Sequence, residues 1–512
     1  MLTKNNYMIG VDIGTTSTKA VLFTKQGQPI ADANYGYDLY TPNVAVAEQD
    51  PEEIFEAVIQ SVASVMKQSK VQPEAVQFIS FSSAMHSLIA MDEHHEPLTK
   101  CITWADNRSA VWAKKIQEDY DGLEVYKRTG TPIHSMSPLS KIMWLEKEHP
   151  EIASKTAKYI GIKEYVFFKL FQEYVMDHSI ASATGMMNLR ALDWDEGALK
   201  LAGIHEEKLP RLVETTETFT EISPFYQAQM GIHPNTKFMI GASDGVLSNL
   251  GVGAIDEGEV AITIGTSGAV RTIINEPKTD DKGRVFCYAL TANHWVIGGP
   301  VNNGGVIFRW LKDELATSEV ALAEQLGKNP YDLLTEIAAK VEPGANGLIF
   351  HPFLVGERAP FWNPDMRGSF IGLSLSHEKP HMIRAVLEGI LFNLYSVLIA
   401  LNEVMDSPIQ SVKATGGFAR SELWRQMMAN IFDLDVTIPE SFESSCLGAC
   451  LLGLYAEGEI EDFAVVRDMI GSTNTHEPEA ESREIYQALM AIFIRTSRLL
   501  ETEYENLSKL QK

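Results

Sequence analysis

Two matching turns, set 251 residues apart, constrain this chain more than any other feature. Val11-Asp12-Ile13-Gly14-Thr15-Thr16-Ser17 is answered position for position by Ile262-Thr263-Ile264-Gly265-Thr266-Ser267-Gly268. The offset is close to half of the 512-residue length, and each copy stands near the head of its half. A repeat so placed is most economically explained by a duplicated fold. A chain this long also exceeds what one hydrophobic core organises, so two large domains are expected on size alone. The glycine-rich stretch Gly251, Gly253, Gly258 suits a hinge and sets the domain limits at 1–250 and 251–512. A ligand would then sit in the cleft between two such lobes.

Around the first copy the pattern is β-β-β-α. Met8–Ile13 alternates as a strand, Thr15–Thr18 is a polar turn and Lys19–Phe23 is a second strand. Gln26-Gly27-Gln28-Pro29 turns the chain into a third. Asp50-Pro51-Glu52-Glu53 is a helix start, with an N-cap Asp, Pro at the first position and acidic residues in the first turn. Ile54, Val58, Val62 and Val65 follow at helical spacing. In the second copy, Ala269–Ile274 supplies the return strand.

Composition narrows the function. The net charge of −25 offers no basic footprint for nucleic acid or an anionic membrane. Met1-Leu2-Thr3-Lys4-Asn5-Asn6 lacks the apolar core of a signal peptide, and a cytoplasmic location is expected. Ala385–Leu401 is the nearest thing to a membrane span, but Glu388, Gly389, Asn393 and Ser396 make it a buried core helix. The four cysteines, Cys101, Cys287, Cys446 and Cys450, form no CxxC pair and are expected as buried thiols. Asn107-Arg108-Ser109 fits a glycosylation sequon, which carries no weight without a secretion signal.

A Gly-Thr-Thr/Ser turn between strands aims several N–H groups and hydroxyls at one spot, which suits a phosphate. It is not a Walker loop, because no GxxxxGK[ST] is present and no helix follows directly. The two copies differ where it matters: Asp12 stands opposite Thr263, so only the first offers a carboxylate to Mg²⁺, through water. Lys19 is a candidate to neutralise phosphate charge, or else a solvated strand residue. Gly241-Ala242-Ser243-Asp244-Gly245 puts an Asp among small residues at the end of the apolar run Phe238–Ile240. That Asp is either an accessible functional carboxylate or a turn and helix-capping residue. Ala414-Thr415-Gly416-Gly417-Phe418-Ala419-Arg420-Ser421 precedes the helical Glu422–Phe432, and its paired glycines would let a flat adenine approach the backbone.

With these pieces in place the chain resembles the FGGY carbohydrate kinases over nearly its whole length. Met136-Ser137-Pro138-Leu139-Ser140-Lys141-Ile142-Met143-Trp144-Leu145 is similar to the family's first signature. Gly368–Leu373 followed by His381–Glu388 is similar to its second. The resemblance implies an α/β fold of two ribonuclease-H/actin-like lobes with a central catalytic cleft. The first lobe would carry the sugar, phosphate and Mg²⁺ site and the second the nucleotide. It implies ATP and Mg²⁺ as cofactors, Asp244 as the catalytic base that also meets the substrate, and Asp12 at the metal. Thr15, Thr16, Gly265 and Thr266 would line the phosphates, joined by Lys19, Gly305, Gly417 and Ser421 at the nucleotide.

By the same resemblance the substrate segment is Phe81–Ser87 with Ile102–Ser109, in which His86, Trp104, Asp106 and Arg108 would meet the sugar. This version is most similar to the family's gluconate kinases, whose reaction converts D-gluconate and ATP to 6-phospho-D-gluconate and ADP; its xylulose kinases come next. Arg108 and His86 are candidates for the substrate carboxylate, with Asn302 and Asn303 behind them. The partners implied are a small sugar acid and ATP, with a homodimer as the candidate assembly. Two other readings compete. His377-Glu378-Lys379-Pro380-His381 satisfies HExxH, but Pro380 marks a helix start that leaves His377 outside it. A non-catalytic actin-like ATPase or sugar sensor would use the same lobes without needing Asp244 or the substrate segment.

Overall fold

The first turn motif folds as its alternation requires. In the computed structural model, which describes residues 6–439, 444–471 and 473–511, Tyr7–Ile13 and Ser17–Thr24 form an antiparallel pair. The third strand is Pro29–Gly36, and the helix Pro51–Ser69 begins with Asp50 accepting the Glu52 N–H. The leading segment up to Asn5 lies outside the described residues.

The chain divides into two units. The first comprises Met1–Ile255, Ile273–Ile297 and Glu443–Gly471. The second comprises Asp256–Thr272, Gly298–Phe442 and Ser472–Lys512.

The first unit is built on a six-stranded sheet in the order Thr218–Phe219, Lys237–Ser243, Val76–Ser83, Tyr7–Ile13, Ser17–Thr24, Pro29–Gly36. Lys237–Ser243, Val76–Ser83 and Tyr7–Ile13 run parallel, side by side. Period-two alternation decides what each face buries. Ile9, Val11, Ile13, Ala20, Leu22, Ile79 and Phe81 share one core with Ile54, Val58, Val62 and Val65 of the Pro51–Ser69 helix. Met8, Val21, Phe23, Phe78 and Met239 face the other way, into a core with Val246, Leu247 and Leu250 and with Cys446–Leu454. That second face is covered by two helices, Asp244–Gly251 and Ser444–Ala456. Glycines let their backbones touch. A Cβ on Gly251 would lie 1.8 Å from the Ser444 oxygen, and one on Gly448 would lie 2.0 Å from that of Leu247. Gly10, on the first strand, admits the same helix, since its Cβ would lie 2.2 Å from the Cys446 oxygen.

The Lys237–Ser243 strand carries one extra residue. Met239 pairs with Ser80 but Ala242 with Ser82, so Ile240 and Gly241 oppose Phe81 alone and the strand bulges. Gly241 sits in this bulge at φ +69, where a Cβ would lie 1.7 Å from the Phe81 oxygen. No other residue fits there.

The second unit repeats the opening arrangement. Glu259–Ile264 is antiparallel to Gly268–Ile274 and parallel to Ser411–Gly416, which is parallel to Asp435–Pro439. The repeat is not perfect. Ile13 pairs with Thr18, but Ile264 pairs with Gly268, so the second turn is one residue tighter. Lys379–Val404, the membrane-length helix, is a core element whose apolar window is 83% buried. Its Arg384 and Glu388 form a buried 2.8 Å ion pair, completed by the Tyr486 hydroxyl and the Gly344 N–H. The four cysteines are buried thiols, as expected.

His351 ends the short strand Ile349–His351 in this unit, buried between the Tyr504 hydroxyl at 2.7 Å and Thr496 Oγ1 at 3.0 Å. Burial pushes its imidazole down to about 4. Between the ordinary value and 4, the unfolded chain therefore takes up a proton that the folded one refuses, and stability falls as pH drops through that window. The loss reaches about 2 kcal/mol by pH 5. The expected result is a smaller drop in melting temperature from pH 7 to pH 5 in His351→Gln than in the parent; equal drops would exclude this source.

Candidate active site

Asp12, Ser82–Ser83 and Ser243–Asp244 stand at the carboxyl ends of three adjacent parallel strands, where open α/β sheets bind ligands. Asp12 is in register with Ser82, whose hydroxyl donates to Asp12 Oδ1 at 2.6 Å, and Ser82 is in register with Ala242. Asp12 also lies directly opposite Lys19, which puts both charges on one face of the sheet. Asp244 opens the Asp244–Gly251 helix behind Ser243 as N-cap, and its Oδ1 accepts the Gly245 N–H at 2.6 Å. Ser243 is itself held twice by Ser179, which accepts from its N–H at 3.1 Å and donates to its hydroxyl at 3.0 Å. Ser243 holds the N-cap position without a side-chain cap hydrogen bond, and the Asp244 carboxylate meets the Gly245 N–H at the helix start.

The Gly14–Thr16 turn is anchored through its carbonyls. Tyr37 OH donates to Gly14 O, Gln49 Nε2 to Thr15 O at 2.6 Å, and the Tyr37 N–H to Thr16 O at 3.3 Å. Among the described residues the N–H groups of Thr15 and Thr16 donate to no protein atom. Carbonyls fixed outward and N–H groups left over are what an anion requires.

Trp104 joins this turn to the substrate segment, since its Nε1 donates to Thr15 Oγ1 at 2.9 Å. His86 takes a left-handed φ of 69, and its Nδ1 is 2.8 Å from Ala183 O. A proton must lie on Nδ1 there, because a carbonyl only accepts. Asp106 is 1% exposed and both its oxygens are engaged, one by the Ala47 N–H and both by Arg108. It stands behind Arg108 as the group that holds it. Arg108 Nη2 also reaches Glu48 at 2.5 Å, and its guanidinium lies 4.7 Å from the Trp144 ring centre. Nε and Nη2 are thus committed, while Nη1 has no hydrogen bond among the described residues.

In the second unit the tighter turn is gripped by the helix Gly305–Trp310. The Gly305 N–H donates to Gly265 O at 2.7 Å and the Val306 N–H to Thr266 O at 3.0 Å. Gly305 therefore spends its N–H on the turn, where a Cβ would come within 2.6 Å of the Gly265 oxygen. Thr266 is exposed at the turn's tip. Gly416 pairs with Ile264, while a Cβ on Gly417 would meet nothing within 4 Å, so its face is open to a flat ligand. Ser421 caps the Glu422–Phe432 helix with its hydroxyl. Asn302 and Asn303 serve the protein itself. The Asn302 N–H and Asn303 Nδ2 bind Glu357, whose carboxyl burial pushes upward, and Asn393 donates to it at 2.6 Å.

The helix begins at Lys379, so His377 lies outside it and the two histidines of the HExxH pattern do not share one continuous helix. Sequence reasoning did not single out Tyr37, Gln49, Ser82, Ser179 or Glu357. All act through contacts distant in the chain, which no local pattern reveals.

The FGGY family of carbohydrate kinases, N-terminal domain, matches residues 7–251, and the C-terminal domain of that family matches residues 260–457. A gluconokinase of Bacillus subtilis (strain 168) is 63% identical over 508 residues, covering 99% of this chain and 98% of its own. Among solved structures, a gluconate kinase from Lactobacillus acidophilus matches with a TM-score of 0.92 at 37% identity, over 98% of this chain and 99% of that one. A ligand-bound xylulose kinase from the same organism matches with the same values.

Proposed function

The chain belongs to the FGGY family of carbohydrate kinases, and we propose that it converts D-gluconate and ATP to 6-phospho-D-gluconate and ADP. The observation that carries the substrate is the 63% identity to a gluconokinase along the full chain. The site supports the reaction class.

Phosphoryl transfer needs positioning and charge stabilisation more than covalent chemistry. Asp244, fixed by the Gly245 N–H and by Ser243 behind it, orients the 6-hydroxyl and takes its proton as the oxygen–phosphorus bond forms. The Thr15 and Thr16 N–H groups meet phosphate oxygens, with Lys19 on the same sheet face as Asp12. Asp12 would hold Mg²⁺, which would supply charge neutralisation at the phosphates. Thr266 and the open face of Gly417 receive the nucleotide. Arg108 Nη1 is the cationic donor for the substrate carboxylate, with Trp104 as the apolar wall.

Xylulose is the second reading, favoured by the structural match that bears that name at equal similarity. ADP release measured across gluconate, xylulose, ribulose and glycerol separates the two. Gluconate is expected to exceed xylulose in kcat/KM by on the order of a hundredfold, because donors aimed at a carboxylate are left unpaired by a ketose. Strong xylulose turnover without gluconate turnover would replace the substrate. ATP turnover independent of any sugar would replace the kinase with an actin-like ATPase.

A further inference from the structure

We propose that Lys141 is a positioning residue that sets the spacing of the two substrate-bearing segments by holding the His86 and Thr103 carbonyls on one buried ammonium group. The inference rests on the sugar-kinase reading above. Lys141 projects from the Pro138–Glu148 helix and is 0% exposed. Its Nζ donates to His86 O at 2.6 Å and to Thr103 O at 2.7 Å. One of these carbonyls belongs to a substrate candidate and the other immediately precedes Trp104.

Beside these bonds, Leu88 and Ile102 form an isolated bridge between the two stretches. His86 lies on the far side of that bridge in a left-handed conformation, which costs energy in any residue other than glycine. Something must hold it there. Nδ1 to Ala183 O fixes the ring, and Lys141 fixes the backbone.

The choice of a cation is informative. Taking an ammonium out of water is costly, and an apolar side chain would pack the same space without that cost. The charged groups near it are Asp106 and Arg108, and the Cys101 thiol is also close; burial pushes the ammonium down to about 7. The two carbonyls share one donor group, which couples them in distance, and the Thr103 oxygen also accepts the Asp106 N–H at 3.2 Å. Trp104, Asp106 and Arg108 come next in the chain, so the clamp carries through to Trp104 and to Arg108 with the Asp106 that holds it.

Lys141→Met keeps the length and removes the donors. Its expected effect is a rise of about tenfold or more in the KM for the sugar, with the KM for ATP within about twofold of the parent. Leu145→Ala, one turn along the same helix and equally buried, serves as the control for lost stability. It should lower the melting temperature comparably and leave the sugar KM within about twofold. If Lys141→Met does not accumulate as folded protein, Lys141→Gln, which keeps one donor group on a shorter stem, takes its place and should raise the same KM. An equal rise in sugar KM from Leu145→Ala, or no selective rise from the position-141 variant, would overturn the proposal. Each KM is measured on the sugar that the parent phosphorylates best. A wrong substrate then appears in the parent, and a wrong role for Lys141 appears only in its variants.

Discussion

Asp244→Asn is expected to lower kcat by about 10²–10⁴ while ATP still binds. The amide keeps the size and shape of the carboxylate and can still accept the Gly245 N–H, so the helix start and its Ser243 cap should survive. What is lost is the capacity to take the hydroxyl proton. Without that acceptor the attacking oxygen must build positive charge against the γ-phosphoryl group, and orientation alone does not offset it. Single-turnover phosphorylation with saturating ATP reads the chemical step, and calorimetric titration with a non-hydrolysable nucleotide reads binding. Near-normal turnover would remove Asp244 from the chemistry. A collapse of both readouts would instead mean that the side chain holds the site together.

The second large effect comes from a residue with no functional group. Gly241→Ala should cost about 3 kcal/mol or more, the sum of a left-handed φ and a carbonyl displaced inside a packed sheet. The Phe81 oxygen, 1.7 Å from the new Cβ, belongs to the strand that carries Ser82 and Ser83, and Asp244 lies three residues beyond the bulge. A shift between those strands therefore reaches Asp12 and Asp244 together, and kcat should fall along with the melting temperature. Gly203→Ala isolates the backbone contribution, since Gly203 has φ +80 and nothing within 4 Å of the added carbon. Equal losses of melting temperature in the two variants would mean that the close approach at Gly241 relaxes freely.

These cases show what a sequence discloses of such a site and what it withholds. Strand alternation over Met8–Ile13, the proline-led start at Asp50–Glu53 and the copied turn at Gly265 depend on neighbours within a few residues, and the structure has them in place. Gly241 was visible only as one small residue near an Asp. Its bulge depends on the register of a strand 160 residues earlier in the chain. Asp106 and Arg108 looked alike as polar groups for a sugar, and only the structure shows Asp106 buried with both oxygens engaged while Arg108 is half-buried. Lys141 sat in a quoted signature without a role, because its partners are main-chain oxygens and leave no mark on side-chain pattern. The apolar helix Ser444–Ala456 declares that it is buried but not against what.

That helix also fixes an order of events during synthesis. The strands of the first sheet have all left the ribosome once Ser243 emerges, and its Pro51–Ser69 face can close at once. The opposite face, lined by Met8, Phe78 and Met239, stays half covered until Ala456 has been made. At ~5–20 residues per second the interval from Gly251 to Ala456 is about 10–40 s. Through that time the Asp244 helix presents glycine-lined backbone to whatever is near, so the nascent chain must be kept from aggregating until its own late segment arrives.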